Sequence, residues 1–227
     1  TVHAGKWGFV EYCSTSELLD GSSLNYIVQL EEGYADLFNL DLGWSVTGNA
    51  PDGVWERANP DGTSYQGDLC NPEDDSQDCG DKAFVTGNGG GNAGADDVDQ
   101  ASTILTSPSM DLTIAPNLVW SLEMDLWWFN SGGNSSPNDT LSVSLTDGAN
   151  TITVLEYLSG ASGMQWVPVS AVVDASLIDI SNVSVVVTTA DWQSEGGHLV
   201  EAGVDNFRMT NNTAIQNLGN VAVEVFP

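Results

Sequence analysis

Acidic side chains are the residues of this chain best placed to do chemistry, and two groups of them suit one task. Asp96, Asp97 and Asp99 follow the glycine-rich run Gly87–Gly94, whose backbone can turn its carbonyls inward. Glu201 and Asp205 fall just before and within Val200–Asn211, an alternating apolar–polar stretch that reads as a closing β-strand. A carboxylate carried by such a strand is costly to bury unless a cation or hydrogen-bond donor meets it. Calcium takes roughly six to eight oxygen ligands, commonly two or three carboxylates plus the carbonyls of an irregular loop. The chemistry expected of Asp97, Asp99, Glu201 and Asp205 is therefore Ca2+ binding. Asp74, Asp75 and Asp78 form a second acidic cluster, read as a solvated loop.

Catalysis has little to stand on. The histidines are His3, in an unpatterned terminus, and His198, in Glu195-Gly196-Gly197-His198 before the closing strand. No Gly-x-Ser-x-Gly elbow or His-Glu-x-x-His helix accompanies them. Acidic pairs that could run glycoside chemistry are so numerous that their presence discriminates nothing. The glycine-rich run is no phosphate loop, because it lacks a Lys-Ser/Thr ending and opens onto aspartates.

Aromatic residues offer the second kind of chemistry, stacking on sugar faces. Trp55, Tyr65, Trp166 and Trp192 lie in or beside turn-rich segments, and Trp192 and Trp55 are the expected ligand contacts. Trp127 and Trp128 are adjacent in a long apolar segment, 118–129, and must face opposite sides of a sheet.

The elements that would hold these residues are strands. Short alternating runs recur at 44–47, 82–86, 103–106, 118–129, 140–145, 151–155 and 183–188, punctuated by Gly, Asn, Asp and Pro. Asp147-Gly148 marks a hairpin. Only 16–20 and 174–179 suggest short helical turns, and no window sustains a helical period. The pattern predicts an all-β, two-sheet antiparallel jelly-roll β-sandwich over residues 31–211, with 1–30 a leading segment or the end of a preceding module.

With 32 acidic against 4 basic residues the formal charge is −28, which repels nucleic acids and anionic membranes. No apolar run is long enough to span a bilayer, and the first residues lack a signal-peptide core, so the chain reads as mature or excised. Cys70 and Cys79 bracket the loop Asn71–Asp78 and are expected to form a disulfide, which suits an oxidising compartment. Cys13 is then either free and buried or paired outside this segment.

Several blocks resemble a known family. Phe38–Gly48, Asp52-Gly53-Val54-Trp55-Glu56-Arg57-Ala58-Asn59-Pro60, Lys82–Asn88 with Ala95–Asp99, Thr103–Leu112 and Gly203–Arg208 are similar to MAM-like jelly-roll accessory domains of secreted bacterial proteins, as found C-terminal to zinc carboxypeptidases. The resemblance implies that an acidic residue near the opening strand, Glu32 or Asp36, joins Glu201 and Asp205 beside the glycine-rich loop around calcium. Ala214–Pro227 resembles the linker and first strand of a type IX secretion sorting domain, which implies 212–227 as that segment and a Bacteroidetes-type secreted or cell-surface protein. Asp139-Thr140-Leu141 fits the O-glycosylation pattern of that phylum. The function expected is a non-catalytic extracellular binding or adhesion module for a glycan or protein ligand, served by the type IX machinery. The rivals are an accessory domain of a secreted peptidase and a structural subunit donating Asn220–Phe226 as a strand.

Overall fold

Apolar residues at every second position dictate which surfaces meet. In Trp120–Ser131 the even-numbered Trp120, Leu122, Met124, Leu126 and Trp128 are buried, and they face Leu141, Val143, Leu145, Val185 and Val187 in one core. Each such side chain, removed from water, stabilises the fold by about 1.5–3 kcal/mol. The computed structural model describes residues 1–15, 26–114, 119–133, 137–158, 160–161, 164–192, 197–211 and 221–225.

Two antiparallel sheets enclose that core. One runs in the order Thr151–Leu158, Thr140–Thr146, Ser184–Ala190, Ser102–Thr106, Ser45–Gly48. The other runs Gly160–Ala161, Trp120–Ser131, Leu199–Asn211, Ala83–Thr86, Trp55–Ala58, with Val167–Val172 also pairing the long strand and Tyr34–Asp36 the closing one. This is the expected jelly-roll sandwich. Asp147 closes the expected hairpin by accepting the amides of Ala149 and Asn150, with Gly148 at φ +86°. The only helices among the described residues are the short 3-10 turns Ala93–Ala95 and Leu112–Ile114. The turn expected at 16–20 lies outside the described residues. No described helix is long and apolar enough to cross a membrane.

The leading segment docks onto the sandwich. Val2–Ala4 and Tyr12–Ser14 form a hairpin, and Trp7 stacks on Phe207 with ring centroids 5.5 Å from Tyr34 and 5.9 Å from Phe207. Val221–Val225 pairs with Tyr26–Leu30, so the strand considered for donation is matched within its own chain. The rest of the segment expected to be a sorting domain, 212–220 and 226–227, lies outside the described residues.

Candidate functional site

The closing strand organises the chemistry. Its odd-numbered positions Glu201, Gly203 and Asp205 lie opposite Phe129, Trp127 and Asp125, on the face turned away from the core. That face is roofed by the segment from Thr63 to Gly80. Trp127 donates its indole N–H to the Cys70 carbonyl, Trp166 donates to the Asp74 carbonyl, and Phe129 packs with Cys70 and Ala93. Gly203 has no side chain because the Trp166 ring occupies that space: a Cβ there would sit 2.6 Å from it.

A disulfide fastens the roof, but a different one from that expected. Cys79 bonds Cys13 of the N-terminal hairpin, 66 residues away, and Cys70 is a free, buried thiol. The Cys70 thiol donates to the Asp68 carbonyl near Glu201, and burial pushes it up to about 12. Proximity in sequence favoured Cys70; the docking of the N-terminal segment through the Phe9–Glu32 and Val10–Ala35 bridges, the latter on a strand paired to the closing one, accompanies the choice of Cys13.

The predicted calcium ligands divide between places. Glu201 is fully buried, accepts hydrogen bonds from the Thr63 hydroxyl at 2.8 Å and the Thr86 hydroxyl at 3.3 Å, and burial next to Asp97 holds it well above the usual carboxylate range. Asp97 is buried nearby and pushed up to about 7 by burial and by Asp99. Asp205 lies four residues further along the strand, about 13 Å away at strand rise. Glu32 is exposed and bridges Phe9. Asp36 is buried with Glu11, accepts the Phe38 amide and the Trp44 indole N–H, and is raised to about 7 by burial. The glycine-rich run wraps Asp96, which accepts the Gly89 amide.

The cluster read as solvated is instead the partner of Asp205. One carboxylate oxygen each of Asp75, Asp78 and Asp205 lies within 4.8 Å of the others. Asp205 accepts the Ser76 amide at 2.8 Å and the Asn206 amide at 2.7 Å. Asp75 Oδ2 and Asp78 Oδ2 are buried with no hydrogen-bond partner. Burial, aided by repulsion from Asp78, pushes Asp205 up to about 8 and Asp75 to about 6, and burial with repulsion from Asp125 raises Asp78. Three converging carboxylates, two of them with an orphaned oxygen, form a hard, all-oxygen donor set of the kind calcium takes. A bulge between Glu123 and Asp125 makes the geometry, with Asn206 at φ +49°. Beyond it lies a groove of about 370 Å3, where Glu123, Asp125, Asn206 and Arg208 stand beside the apolar Pro168 and Val169.

The two tryptophans expected to meet ligand also part company. Trp55 is 3% exposed and belongs to the core, so it cannot stack on a sugar; this corrects the expectation drawn from its turn-rich flanks. Trp192 is 49% exposed. Its amide is held by Asp139 at 3.1 Å, and the neighbouring Asp191 accepts the His198 amide at 3.2 Å. Of the adjacent pair, Trp128 lies in the core and Trp127 under the roof.

No family model matches this chain, and no curated protein does. Solved structures that resemble it include carbohydrate-binding modules and a bacteriophage tailspike domain. One is the TmCBM61 module in complex with β-1,4-galactotriose, at 15% identity and TM-score 0.42 over 77% of this chain and 92% of that one. A CBM22-1 xylan-binding domain from Paenibacillus barcinonensis has 15% identity and TM-score 0.40, over 82% and 99%. A family 11 module from Clostridium thermocellum, in complex with a β-1,3-1,4-mixed-linked tetrasaccharide, has 10% identity and TM-score 0.39, over 83% and 96%.

Proposed function

We propose that this chain is a non-catalytic, extracellular glycan-binding module, braced by calcium at Asp75, Asp78 and Asp205. The observation that carries the glycan reading is Trp192, an indole half open to solvent whose backbone amide is held by the buried Asp139. A flat apolar face with only two side-chain torsions to fix loses little entropy when it stacks on a sugar ring. The disulfide suits an oxidising compartment. Display by type IX machinery rests on the resemblance of Ala214–Pro227, and membership of the MAM-like accessory domains on the blocks between residues 34 and 209.

The groove beside Arg208 is the second location for a glycan, favoured by its concavity and by donors and acceptors set beside apolar Pro168 and Val169. A glycan array probed with the wild type, Trp192→Ala and Arg208→Ala separates the two. The expected result is binding by the wild type, a loss of about tenfold or more with Trp192→Ala, and little change with Arg208→Ala. The opposite ranking moves the site to the groove, and no binding by the wild type in calcium rejects the glycan reading.

A further inference from the structure

We propose that Asp139, Asp191 and His198 form a buried site for a divalent transition metal of the zinc class, separate from the all-oxygen cluster at Asp205. Four segments bring the site together at one end of the sandwich. Asn130 comes from the end of Trp120–Ser131, Asp139 from the residue before Thr140–Thr146, Asp191 from the residue after Ser184–Ala190, and His198 from the residue before the closing strand. All four residues are 3% exposed or less.

The donor atoms of the two aspartates and the histidine lie within 4.8 Å of one another. His198 Nδ1 is 2.8 Å from Asp139 Oδ2 and 4.0 Å from Asp191 Oδ1. Donors held about 2.1 Å from a tetrahedral zinc stand about 3.4 Å apart, so the observed separations bracket the required one and small side-chain rotations reach it. Two buried acceptors here have no hydrogen-bond partner, Asp191 Oδ2 and Asn130 Oδ1. Asn130 donates its amide to the Asp139 carbonyl, which keeps its side chain against the cluster.

Charge points the same way. Among the described residues, ion pairs to Asp139 and Asp191 come from His198 and from no lysine or arginine. A protonated imidazole leaves the buried group one charge short of neutral, whereas a divalent cation with a neutral imidazole balances both carboxylates. An imidazole nitrogen beside two carboxylates selects zinc or a neighbouring transition ion over calcium, which takes oxygen ligands. The bound ion would join the two segments that carry the Trp192 backbone. The metal proposal does not depend on the glycan reading.

The test uses the full chain, stripped with EDTA, dialysed, and titrated with Zn2+ in excess calcium so that hard-oxygen sites are filled. The expected result is one zinc per chain, bound at least 100-fold more weakly by His198→Gln and by Asp191→Asn, and unchanged in His3→Gln. Near-ultraviolet circular dichroism confirms that each variant is folded. A measurement on the unmutated chain stands beside it: Co2+ should give visible absorption and paramagnetically shifted imidazole proton signals. No zinc bound in calcium, equal affinity in the folded His198 and Asp191 variants, or no shifted imidazole signal with Co2+ each overturns the proposal.

Discussion

Asp205 shows how one side chain takes its meaning from residues far away in sequence. Its carboxylate accepts the amide of Ser76, 129 positions earlier, and meets Asp75 and Asp78. An ion that binds the folded chain alone stabilises it by about 2.7 kcal/mol at a hundred times its Kd. For a chain of this size that is a rise in Tm of about 5–10 °C. Differential scanning calorimetry should show this rise with calcium in the wild type and most of it lost in Asp205→Asn; an equal rise in both contradicts the assignment. Glu201 and Asp205 were legible in the sequence as acids on a closing strand that needed partners. Their separate partners, the hydroxyls of Thr63 and Thr86 for one and the roof aspartates for the other, were not. Asp75 and Asp78 look solvated when read locally, because only the roof's path over the sheet buries them. His198 carried no motif, and the aspartates beside it converge only once four strand ends meet.

At the scale of elements, the roof from Thr63 to Gly80 distinguishes this sandwich, and its fastenings can be tested singly. Closing 66 residues by the Cys13–Cys79 bond restricts the unfolded chain by about 4 kcal/mol. Cys13→Ser should therefore lower the stability measured by chemical denaturation by about that amount, while Cys70→Ser leaves the disulfide intact. Non-reducing peptide mapping that finds Cys70 joined to Cys79 would contradict the fold at this point. The strands themselves were readable from alternation and turn residues: the 118–129 segment became Trp120–Ser131, and Asp147-Gly148 made its hairpin. The bulge that turns Asn206 to φ +49° left no comparable mark, since it arises from the register between two strands. Gly203 could have hinted at a close approach, but the ring that approaches it, Trp166, lies 37 positions earlier.

For the whole molecule, a formal charge of −28 and several buried acids set the response to pH. Asp36 and Asp97 titrate at about 7 in the fold against 3.8 when unfolded. The folded state thus holds protons that the unfolded state has released. The resulting stability is full below about pH 4 and is lost as pH rises through about 7. In EDTA, Tm should fall steadily from pH 5 to pH 8; a rise across that interval contradicts the assignment of these groups as protonated when buried. A charge of this sign repels polyanions and favours neutral or cationic partners, and the neutral glycan proposed for Trp192 would meet no electrostatic opposition.

The most direct measurement is an isothermal titration, in calcium, of the oligosaccharide that scores highest on the array into the wild type and Trp192→Ala. Saturable one-site binding to the wild type is expected, weakened about tenfold or more by the substitution, with unchanged Tm. Equal affinity in the two proteins would contradict it.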